Sequence, residues 1–411
     1  MTAHPTLGLV HAIATRLADP DNVPLGSRLL SSDRQHLAYG PPGIELLHIE
    51  LAANGRGPWH RAHDWLTAAS RQPLTSGSDS HPFYGVPAFA HALSCAADHL
   101  PGSYQRALDA MDGQIAVDVG RLPQLAEFDA IRGLTGYGAY LLRRDLSSST
   151  MRAVLDYCVR LTEPITHHGE TMPGWWAETG PSGSPDDRFP GGHANTGMAH
   201  GIGGVLALLA LAARNGFLTD GHHAALRTIL AWLDRWKEKA DGGPVWPYWV
   251  TQGELSRGLL VPSVPRRPSW CYGTAGLART QQLAALALGD ASRQMDAENA
   301  LVAALTDPEQ LKATTDNGLC HGFAGLAHAA ARTADDGHPS TVGRLRAALP
   351  ALLAAATPPG TDPELMATAL IQDEKVGPGP LDSAVGIALA LLAPSTAASP
   401  QSAWDACLLI A

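Results

Sequence analysis

A turn built on glycine, followed by a small, apolar helix, recurs seven times along the chain and constrains the fold more than any other feature. Six of the turns begin at Gly40, Gly85, Gly133, Gly201, Gly273 and Gly322, and a less regular seventh begins at Asp382. The interval between turns leaves room for one apolar helix and one more polar, amphipathic helix. Repeats of this length are typical of stacked helical pairs.

The polar helix of each pair can be recognised between the turns. Residues 224–236 and 341–356 show apolar and charged positions at helical spacing, and residues 104–111 and 149–161 hold the same place before the third and fourth turns. A row of pairs that stays open exposes its ends, whereas seven pairs can close into a ring. We therefore predict an all-α fold, an (α/α)7 toroid of seven inner and seven outer helices, formed by residues 1–411 as a single domain. The turns would then open at one end of the ring.

Composition narrows the class of protein. Acidic residues (39) outnumber Lys plus Arg (29) and no basic cluster stands out, so we expect neither a nucleic-acid partner nor adhesion to anionic lipid. Five cysteines do not make a disulfide framework in a chain of 411 residues and fit a reducing cytoplasm better. The N-terminus has no signal-peptide pattern, and the apolar runs are too short to span a bilayer. We expect a cytoplasmic protein without direct membrane insertion.

Two segments interrupt the repeat. Residues 170–195 and 242–268 are rich in Pro, Gly and Trp, and are predicted to be long loops. The first leads into the fourth turn and the second into the fifth. Because long ordered loops in compact domains are often lids or binding surfaces, both mark the same end of the ring as functional. No segment is strand-rich enough to predict an inserted β domain.

Soft metal ligands stand immediately before two of the turns. Cys271 precedes the fifth turn, and Cys320 and His321 precede the sixth. At the start of a helix, the dipole and the free N–H groups favour a thiolate. Two Cys and one His can hold zinc while leaving a fourth position open, as in catalytic sites. The alternative is that these cysteines are small buried apolar residues, because the set lacks the short spacing of a zinc finger.

With the repeat and these residues in place, the chain resembles the lanthionine synthetase C-like family, the lantibiotic cyclases. The resemblance extends from Gly40 to Gly386. It rests on three motifs: residues 187–202 (DRFPGGHANTGMAHGI), Trp270-Cys271-Tyr272-Gly273 and Cys320-His321-Gly322. The second and seventh turns depart from the glycine pattern, with Pro87-Ala88 in one and Ser383 in the other. These departures lie outside the proposed ligand set and put local turn geometry in question.

The resemblance implies a seven-fold toroid in which Cys271, Cys320 and His321 hold Zn²⁺. It also implies an active-site histidine at His200 and an acidic partner for it at Asp129. A site arginine is implied at Arg267, although the neighbouring Arg266 leaves the register open. Tyr272 matches the family pattern and is interpreted as a packing residue.

The activity that the resemblance implies is intramolecular addition of a peptide Cys thiol to dehydroalanine or dehydrobutyrine, which closes (methyl)lanthionine rings. The partners would be a dehydrated precursor peptide with its leader and core, a dehydratase and an exporter. Such partners would place the protein in the cytoplasm or bring it to the membrane periphery. Zinc would activate the thiol, a cation would stabilise the enolate, and His200 would protonate the α-carbon.

Other interpretations remain open from the residues alone. Asp129 could cap a helix, His200 could be a hydrogen-bonded core residue, and Arg267 could only pair with an acidic loop residue. At the level of function, the alternatives are addition of glutathione or another small thiol to dehydroamino acids, and a zinc-stabilised scaffold that binds peptides without catalysis. The scaffold predicts four protein ligands, and the sequence shows no fourth beside the three. The Ala-, Pro- and Gly-rich composition is typical of high-GC bacteria and favours the cyclase over the small-thiol enzyme.

Overall fold

The computed structural model describes residues 5–23, 33–121, 128–144, 148–167, 169–181, 183–261, 267–358, 360–373, 377–396 and 399–411. Helices dominate these residues. In chain order they are α1 (Pro5–Arg16), α2 (Pro41–Ala53), α3 (Trp59–Ala69), α4 (Val86–Ala97), α5 (Gln105–Arg121), α6 (Leu134–Arg144), α7 (Ser149–Arg160), α8 (Ile202–Arg214), α9 (His222–Arg235), α10 (Gln252–Arg257), α11 (Thr274–Leu288), α12 (Ala291–Thr306), α13 (Pro308–Lys312), α14 (Phe323–Asp335), α15 (Val342–Ala356), α16 (Pro363–Ile371) and α17 (Ala384–Thr396).

The apolar helices that follow the seven turns form a closed inner ring. In order around the ring they are α2, α4, α6, α8, α11, α14 and α17, and the last packs against the first. The helices α2, α4 and α8 are buried on almost every face, which explains their uniformly apolar sequences. The predicted all-α toroid is confirmed. The assignment of residues 1–411 to one domain stays a prediction.

The outer layer follows the predicted pairing with one exception. Helices α3, α5, α7, α9, α12 and α15 each pack against the inner helix that precedes them in the chain. The seventh inner helix, α17, packs instead against α1, which precedes the first turn, and against the short α16. The N-terminal helix therefore helps to close the ring. This long-range pairing could not be predicted from the repeat.

Close backbone approach explains why the second glycine of the turns recurs. A methyl group added at this glycine would lie 1.7–2.6 Å from the carbonyl oxygen six residues earlier, which leaves no room for a side chain. The contact occurs at Gly43, Gly136, Gly204, Gly276, Gly325 and Gly386. In the seventh turn the first glycine is replaced by Ser383, whose hydroxyl donates to the Leu370 carbonyl at 2.9 Å. The departure at Ser383 is thus accommodated by a hydrogen bond, while Gly386 keeps the close contact.

The C-terminal segment packs against the inner helices. The carboxylate of Asp405 is fully buried and accepts hydrogen bonds from Arg332 at 2.7 Å and from His328 at 2.8 Å, both on α14. Further along, the indole of Trp270 donates to the carbonyl of Leu408 at 3.0 Å. The segment therefore runs from the body of the ring to the residues just before the fifth turn, and helps to hold that turn in place.

The two segments predicted as loops contain short strands, so the loop prediction is only partly correct. The strands of the described residues are β1 (Ile165–His167), β2 (Glu170–Met172), β3 (Trp176–Ala177), β4 (His193–Asn195), β5 (Glu238–Ala240), β6 (Gly243–Val245) and β7 (Trp249–Thr251). Strands β3, β4 and β7 form one antiparallel sheet, in which Asn195 pairs with Trp249. The sheet joins the two segments beside the fourth turn. Within the described ranges, no helix is both long and apolar enough to cross a membrane.

Candidate active site and metal centre

Backbone hydrogen bonds tie consecutive turns together at one end of the ring. A residue just before one inner helix donates its N–H to a carbonyl just before the next. The bonds are Ala130 to Ala199 (3.0 Å), Met198 to Cys271 (2.9 Å), Cys271 to Cys320 (3.3 Å) and Cys320 to Leu381 (2.7 Å). These bonds bring the residues flanking the third to seventh turns into one cluster. The predicted convergence of the turns is therefore observed for these five.

The two cysteines of the predicted metal set are neighbours across the fifth and sixth turns. The Cys271 N–H donates to the Cys320 carbonyl at 3.3 Å, the Cys271 side chain is buried, and the Ser269 hydroxyl lies 3.7 Å from its Sγ. The neighbouring Cys320 thiol lowers the pKa of Cys271 despite its burial, and Ser269 and His321 add to the effect. The same thiol–thiol interaction, together with burial, raises the pKa of Cys320. The pair thus carries one negative charge readily and needs a cation to carry two.

His321 is held by a carboxylate that the sequence analysis did not single out. Its Nδ1 lies 2.7 Å from the Asp316 Oδ2, and the Asp316 Oδ1 accepts the backbone N–H of Gly318 at 3.1 Å. The hydrogen bond to Asp316 raises the pKa of His321, although burial opposes it. With Nδ1–H donating to Asp316, the neutral ring offers its lone pair at Nε2. This is the tautomer that a metal ligand needs.

A second unpredicted carboxylate, Asp382, lies beside His321. One ligand atom each from Cys320, His321 and Asp382 lies within 4.8 Å of the other two. The Asp382 Oδ1 is 3.4 Å from the His321 Nε2, and no described residue gives this buried oxygen a hydrogen bond. Burial raises the pKa of Asp382. Cys271 lies outside this group of three and is joined to it by the backbone hydrogen bond from its N–H to the Cys320 carbonyl.

His200 and Asp129 form the predicted pair across two neighbouring turns. The His200 Nδ1 lies 2.8 Å from the Asp129 Oδ2, and the Asp129 Oδ1 accepts the backbone N–H groups of Ile131 (2.9 Å) and Gly133 (3.2 Å). Burial would raise the pKa of Asp129, but the hydrogen bonds from His200 and the backbone outweigh it, so that pKa is lowered. Asp129 therefore both organises its turn and orients His200. Asp316 does the same for His321.

Tyr272 lies between the cysteines and His200. Its ring centroid is 6.2 Å from that of His200 in a near-parallel arrangement, and its hydroxyl accepts a hydrogen bond from Asn195 at 2.9 Å. Burial raises the pKa of Tyr272 to about 12, so the phenol is neutral at physiological pH. The predicted packing role fits these ring contacts. The hydrogen bond also connects Tyr272 to strand β4, which lies in the first of the two segments predicted to be loops.

Arg267 stands at the edge of the same cluster. Its Nη1 lies 3.9 Å from the Asp316 Oδ2, and a third of its side chain is exposed. Its positive charge is among the effects that lower the pKa of Cys271. Arg266 lies outside the described residues, so the choice between the two arginines stays a prediction. The pairing with Asp316 is the alternative that the sequence left open for Arg267, and the long distance leaves the guanidinium available to another anion.

Asp316 and Asp382 carried signals that the sequence analysis passed over. Asp316 begins an Asp-Asn-Gly turn shortly before Cys320-His321, which is the kind of turn in which one carboxylate oxygen binds the backbone. Asp382 opens the seventh turn, at a place related by the repeat to His321 in the sixth. Using the repeat to align the turns would have predicted that Asp382 lies close to the cysteines. Neither residue can be paired with a partner from sequence distance alone.

The fold and the site define a helical toroid with a cluster of thiols, imidazole and carboxylates at one end. The chain belongs to the family described as lanthionine synthetase C-like protein, which matches residues 31–408. The chain is 27% identical over 204 residues to the Nisin biosynthesis protein NisC of Lactococcus lactis subsp. lactis, a match that covers 49% of this chain and 47% of that protein. The match thus spans about half the length of that relative. A solved structure of Nisin cyclase shares the fold, with a TM-score of 0.78 and 18% identity over 98% of this chain and 96% of that one.

Proposed function

We propose that the protein is a zinc-dependent lanthionine synthetase, which adds Cys thiols of a dehydrated precursor peptide to dehydroalanine or dehydrobutyrine. The proposal rests on the observation that two sets of side chains, metal donors and an acid–base pair, lie at the same end of the ring. The Cys271–Cys320 pair and His321 offer soft metal donors, and the His200–Asp129 pair offers an acid–base group on the adjacent turns. Family membership and the relatives' descriptions support the same reaction.

Zinc fits the donors that converge here. The pKa of Cys271 is lowered and that of Cys320 is raised, so a bound cation would help both to become thiolates, and Asp316 holds His321 in the tautomer that leaves Nε2 free. Two thiolates and a neutral imidazole suit Zn²⁺ and leave room for a further ligand. When bound, zinc would supply the charge that keeps a coordinating thiol deprotonated at neutral pH. Stabilisation of the enolate and delivery of the proton would be carried out by side chains of this chain.

His200, Asp129 and Arg267 would handle the charge and proton that the addition creates. Attack of the thiolate on the β-carbon leaves an enolate, and Arg267 or protonated His200 can stabilise it. A proton must then reach the α-carbon, and the Nε2 of His200 can deliver it because Nδ1 is held by Asp129. Asp129 would stabilise the protonated ring and keep its orientation.

The partners follow from the proposed reaction. The substrate would be a precursor peptide with leader and core, dehydrated beforehand by a dehydratase and later passed to an exporter. This places the protein in the cytoplasm, at the membrane only through those partners. The relative described as a nisin biosynthesis protein supports a peptide substrate of this class.

A non-catalytic zinc scaffold is the second candidate, because Asp382 could complete a closed set of four protein ligands. The test uses a precursor peptide of this class that has been dehydrated beforehand by a lanthipeptide dehydratase. The peptide is incubated with the zinc-loaded protein, its remaining thiols are alkylated, and the mass of the product is measured by mass spectrometry. The cyclase predicts loss of alkylation sites over time, whereas a scaffold leaves them all reactive. Glutathione added to a parallel sample tests the small-thiol enzyme by its mass.

We expect Asp316→Asn to weaken zinc binding by about 10- to 100-fold, the usual effect of removing a carboxylate behind a ligating His. An amide at this place can donate to Nδ1, which moves the ring proton to Nε2 and removes the lone pair offered to the metal. The measurement is competition for zinc with a chromophoric chelator. Asp129→Asn is the matched control, since Asp129 orients His200 in the same way. Equal zinc affinity in the two variants would contradict this role for Asp316.

A further inference from the structure

The first two turns complete the ring of turns that carries the candidate site. The Leu37 N–H donates to the Phe83 carbonyl at 2.8 Å, which ties the first turn to the second as the later turns are tied to one another. On the other side, Gly379 lies too close to the Ala38 carbonyl oxygen to admit a side chain, so the seventh turn packs against the first. The first two turns therefore lie at the same end of the ring as the metal donors and the acid–base pair.

One position of the repeat brings polar and aromatic side chains to this end of the ring. It is the residue directly before the first small residue of each turn, and in order its members are Tyr39, Tyr84, Arg132, His200, Tyr272, His321 and Asp382. The last four belong to the candidate site, where the rings of His200 and Tyr272, on neighbouring turns, are 6.2 Å apart. The first three members hold the equivalent places in turns one to three.

Two histidines connect these three turns. His36 and His81 stand four residues before the first glycine of their turns, and their rings are 5.6 Å apart. The His36 ring lies 6.2 Å from that of Tyr84, and the His81 Nδ1 lies 3.1 Å from the Ile131 carbonyl oxygen. The cluster thus reaches from the first turn to the third, where it adjoins the acid–base pair.

The His36 ring is a hydrogen-bond donor without an acceptor among the described residues. Its Nδ1 accepts the Ala38 N–H at 3.0 Å, so the proton of the neutral ring is on Nε2. Burial lowers the pKa of His36 to about 3, and interaction with His81 and Arg132 adds to this effect. The ring is therefore neutral at physiological pH, and its Nε2–H is available to a ligand.

Arg132 supplies a positive charge beside these histidines. Its side chain is exposed, and no acidic side chain of the described residues forms an ion pair with it. Asp129, in the same turn, is committed elsewhere: its Oδ1 accepts the backbone N–H of Arg132 at 2.5 Å, and its Oδ2 contacts the His200 Nδ1. Burial is the main cause of the lowered pKa of both His36 and His81, and the charge of Arg132 adds to it in each.

We propose that Arg132 and His36 form a subsite that binds a carboxylate of the substrate peptide, an inference that rests on the proposed cyclase function. Both side chains are donors without an acceptor, and a guanidinium binds a carboxylate through charge-assisted hydrogen bonds. The half-buried rings of His81 and Tyr84, 5.7 Å apart, form a wall beside them. A peptide anchored here would lie next to the acid–base pair. An Asp or Glu side chain and the C-terminal carboxylate of the peptide share this chemistry.

Binding of a peptide that cannot react tests the subsite. The probe is a dehydrated precursor peptide of this class in which each Cys is replaced by Ala, and its Kd for the zinc-loaded protein is measured by calorimetry. We expect Arg132→Gln to weaken binding about 10-fold, the lower end for a hydrogen bond to a charged group because the site is exposed. Arg132→Lys keeps the charge without the planar fork and should recover part of the loss. His36→Asn keeps an acceptor for the Ala38 N–H but lacks the Nε2 donor, and should bind about 3- to 10-fold more weakly.

A control variant and two altered probes make the test specific. Arg106→Gln is the matched control, because Arg106 is also exposed but lies on the outer helix α5, and it should bind as the wild type does. One altered probe carries Asn and Gln in place of Asp and Glu, and the other ends in an amide. With the probe that lacks the recognised carboxylate, the wild type and Arg132→Gln should bind equally, which identifies the source of that group.

The outcomes separate this inference from the function on which it rests. Wild-type affinity in Arg132→Gln or in His36→Asn, or a loss in Arg132→Gln that persists with both altered probes, would overturn the subsite. A wild-type protein that does not bind the probe would do the same. A wild-type protein that binds the probe but closes no rings in the Cys-containing precursor would overturn the proposed function and leave the carboxylate subsite standing. If His36→Asn fails to fold, Arg132→Gln decides alone.

Discussion

Cys320→Ala is expected to remove zinc from the protein and to abolish the proposed ring formation. Cys320 is the residue on which the donor groups converge: its carbonyl accepts the Cys271 N–H, and its thiol lies within the compact group of His321 and Asp382. Its loss takes away one of two thiolates and the link between the remaining donors. Metal analysis of the purified protein should fall from about one zinc per chain to background. Cys271→Ala should behave in the same way.

Cys407→Ala is the matched control for this experiment. Cys407 is partly buried, donates to the Trp404 carbonyl and is not among the grouped metal donors of the described residues. This variant should keep full zinc and full activity, which separates loss of a ligand from loss of any thiol. Circular dichroism checks that each variant remains helical. Undiminished zinc in Cys320→Ala would mean that the ligands have been wrongly assigned, and the proposed chemistry would fail with them.

The toroid could be predicted because its determinants are local and repeated. Six of the seven inner helices begin at a turn in which the second glycine meets a carbonyl six residues earlier, as at Gly276 and Gly325. A steric requirement at a fixed short spacing leaves a visible pattern in sequence. The apolar character of the inner helices can also be seen locally in the sequence. A helix such as α8 is buried on almost every face, so almost every one of its residues is apolar.

The details that escaped prediction depend on contacts between distant parts of the chain. The pairing of α1 with α17 joins opposite ends of the sequence, and no local sequence pattern predicts it. The short β4 and β7 strands lie in segments rich in Pro and Gly, and their pairing outweighs the weak local preference for extended structure. Asp382 is part of an irregular turn in the sequence, and its place beside Cys320 and His321 depends on the close approach of Gly318.

The candidate site was predicted less completely than the fold. The residues proposed for it, such as Cys271 and His200, stand directly beside turns, so the repeat itself brings them to one end of the ring. Their partners are harder to find. Asp129 lies 71 residues from His200, and only the adjacency of the third and fourth turns makes the contact of 2.8 Å. The resemblance to the family identified that pair, whereas Asp316 fell outside the quoted motifs and was missed.

His200→Asn is expected to slow the proposed cyclisation by roughly 10²- to 10⁴-fold, the usual contribution of a general acid or base. The amide can still donate to the Asp129 Oδ2, so the third and fourth turns should keep their contact. It cannot deliver a proton to the α-carbon. Zinc content should match the wild type, because His200 is not among the proposed ligands Cys271, Cys320 and His321.

The rate is measured by mass spectrometry of alkylated product after timed incubation of the dehydrated precursor, with zinc determined on the same sample. Asp129→Asn should have a smaller effect, because His200 keeps its imidazole and loses only its orientation and the stabilisation of its charged form. A zinc-replete His200→Asn protein that closes rings at the wild-type rate would remove His200 from the mechanism. The enolate would then take its proton from water, and the role of this end of the ring would reduce to activating and positioning the thiol.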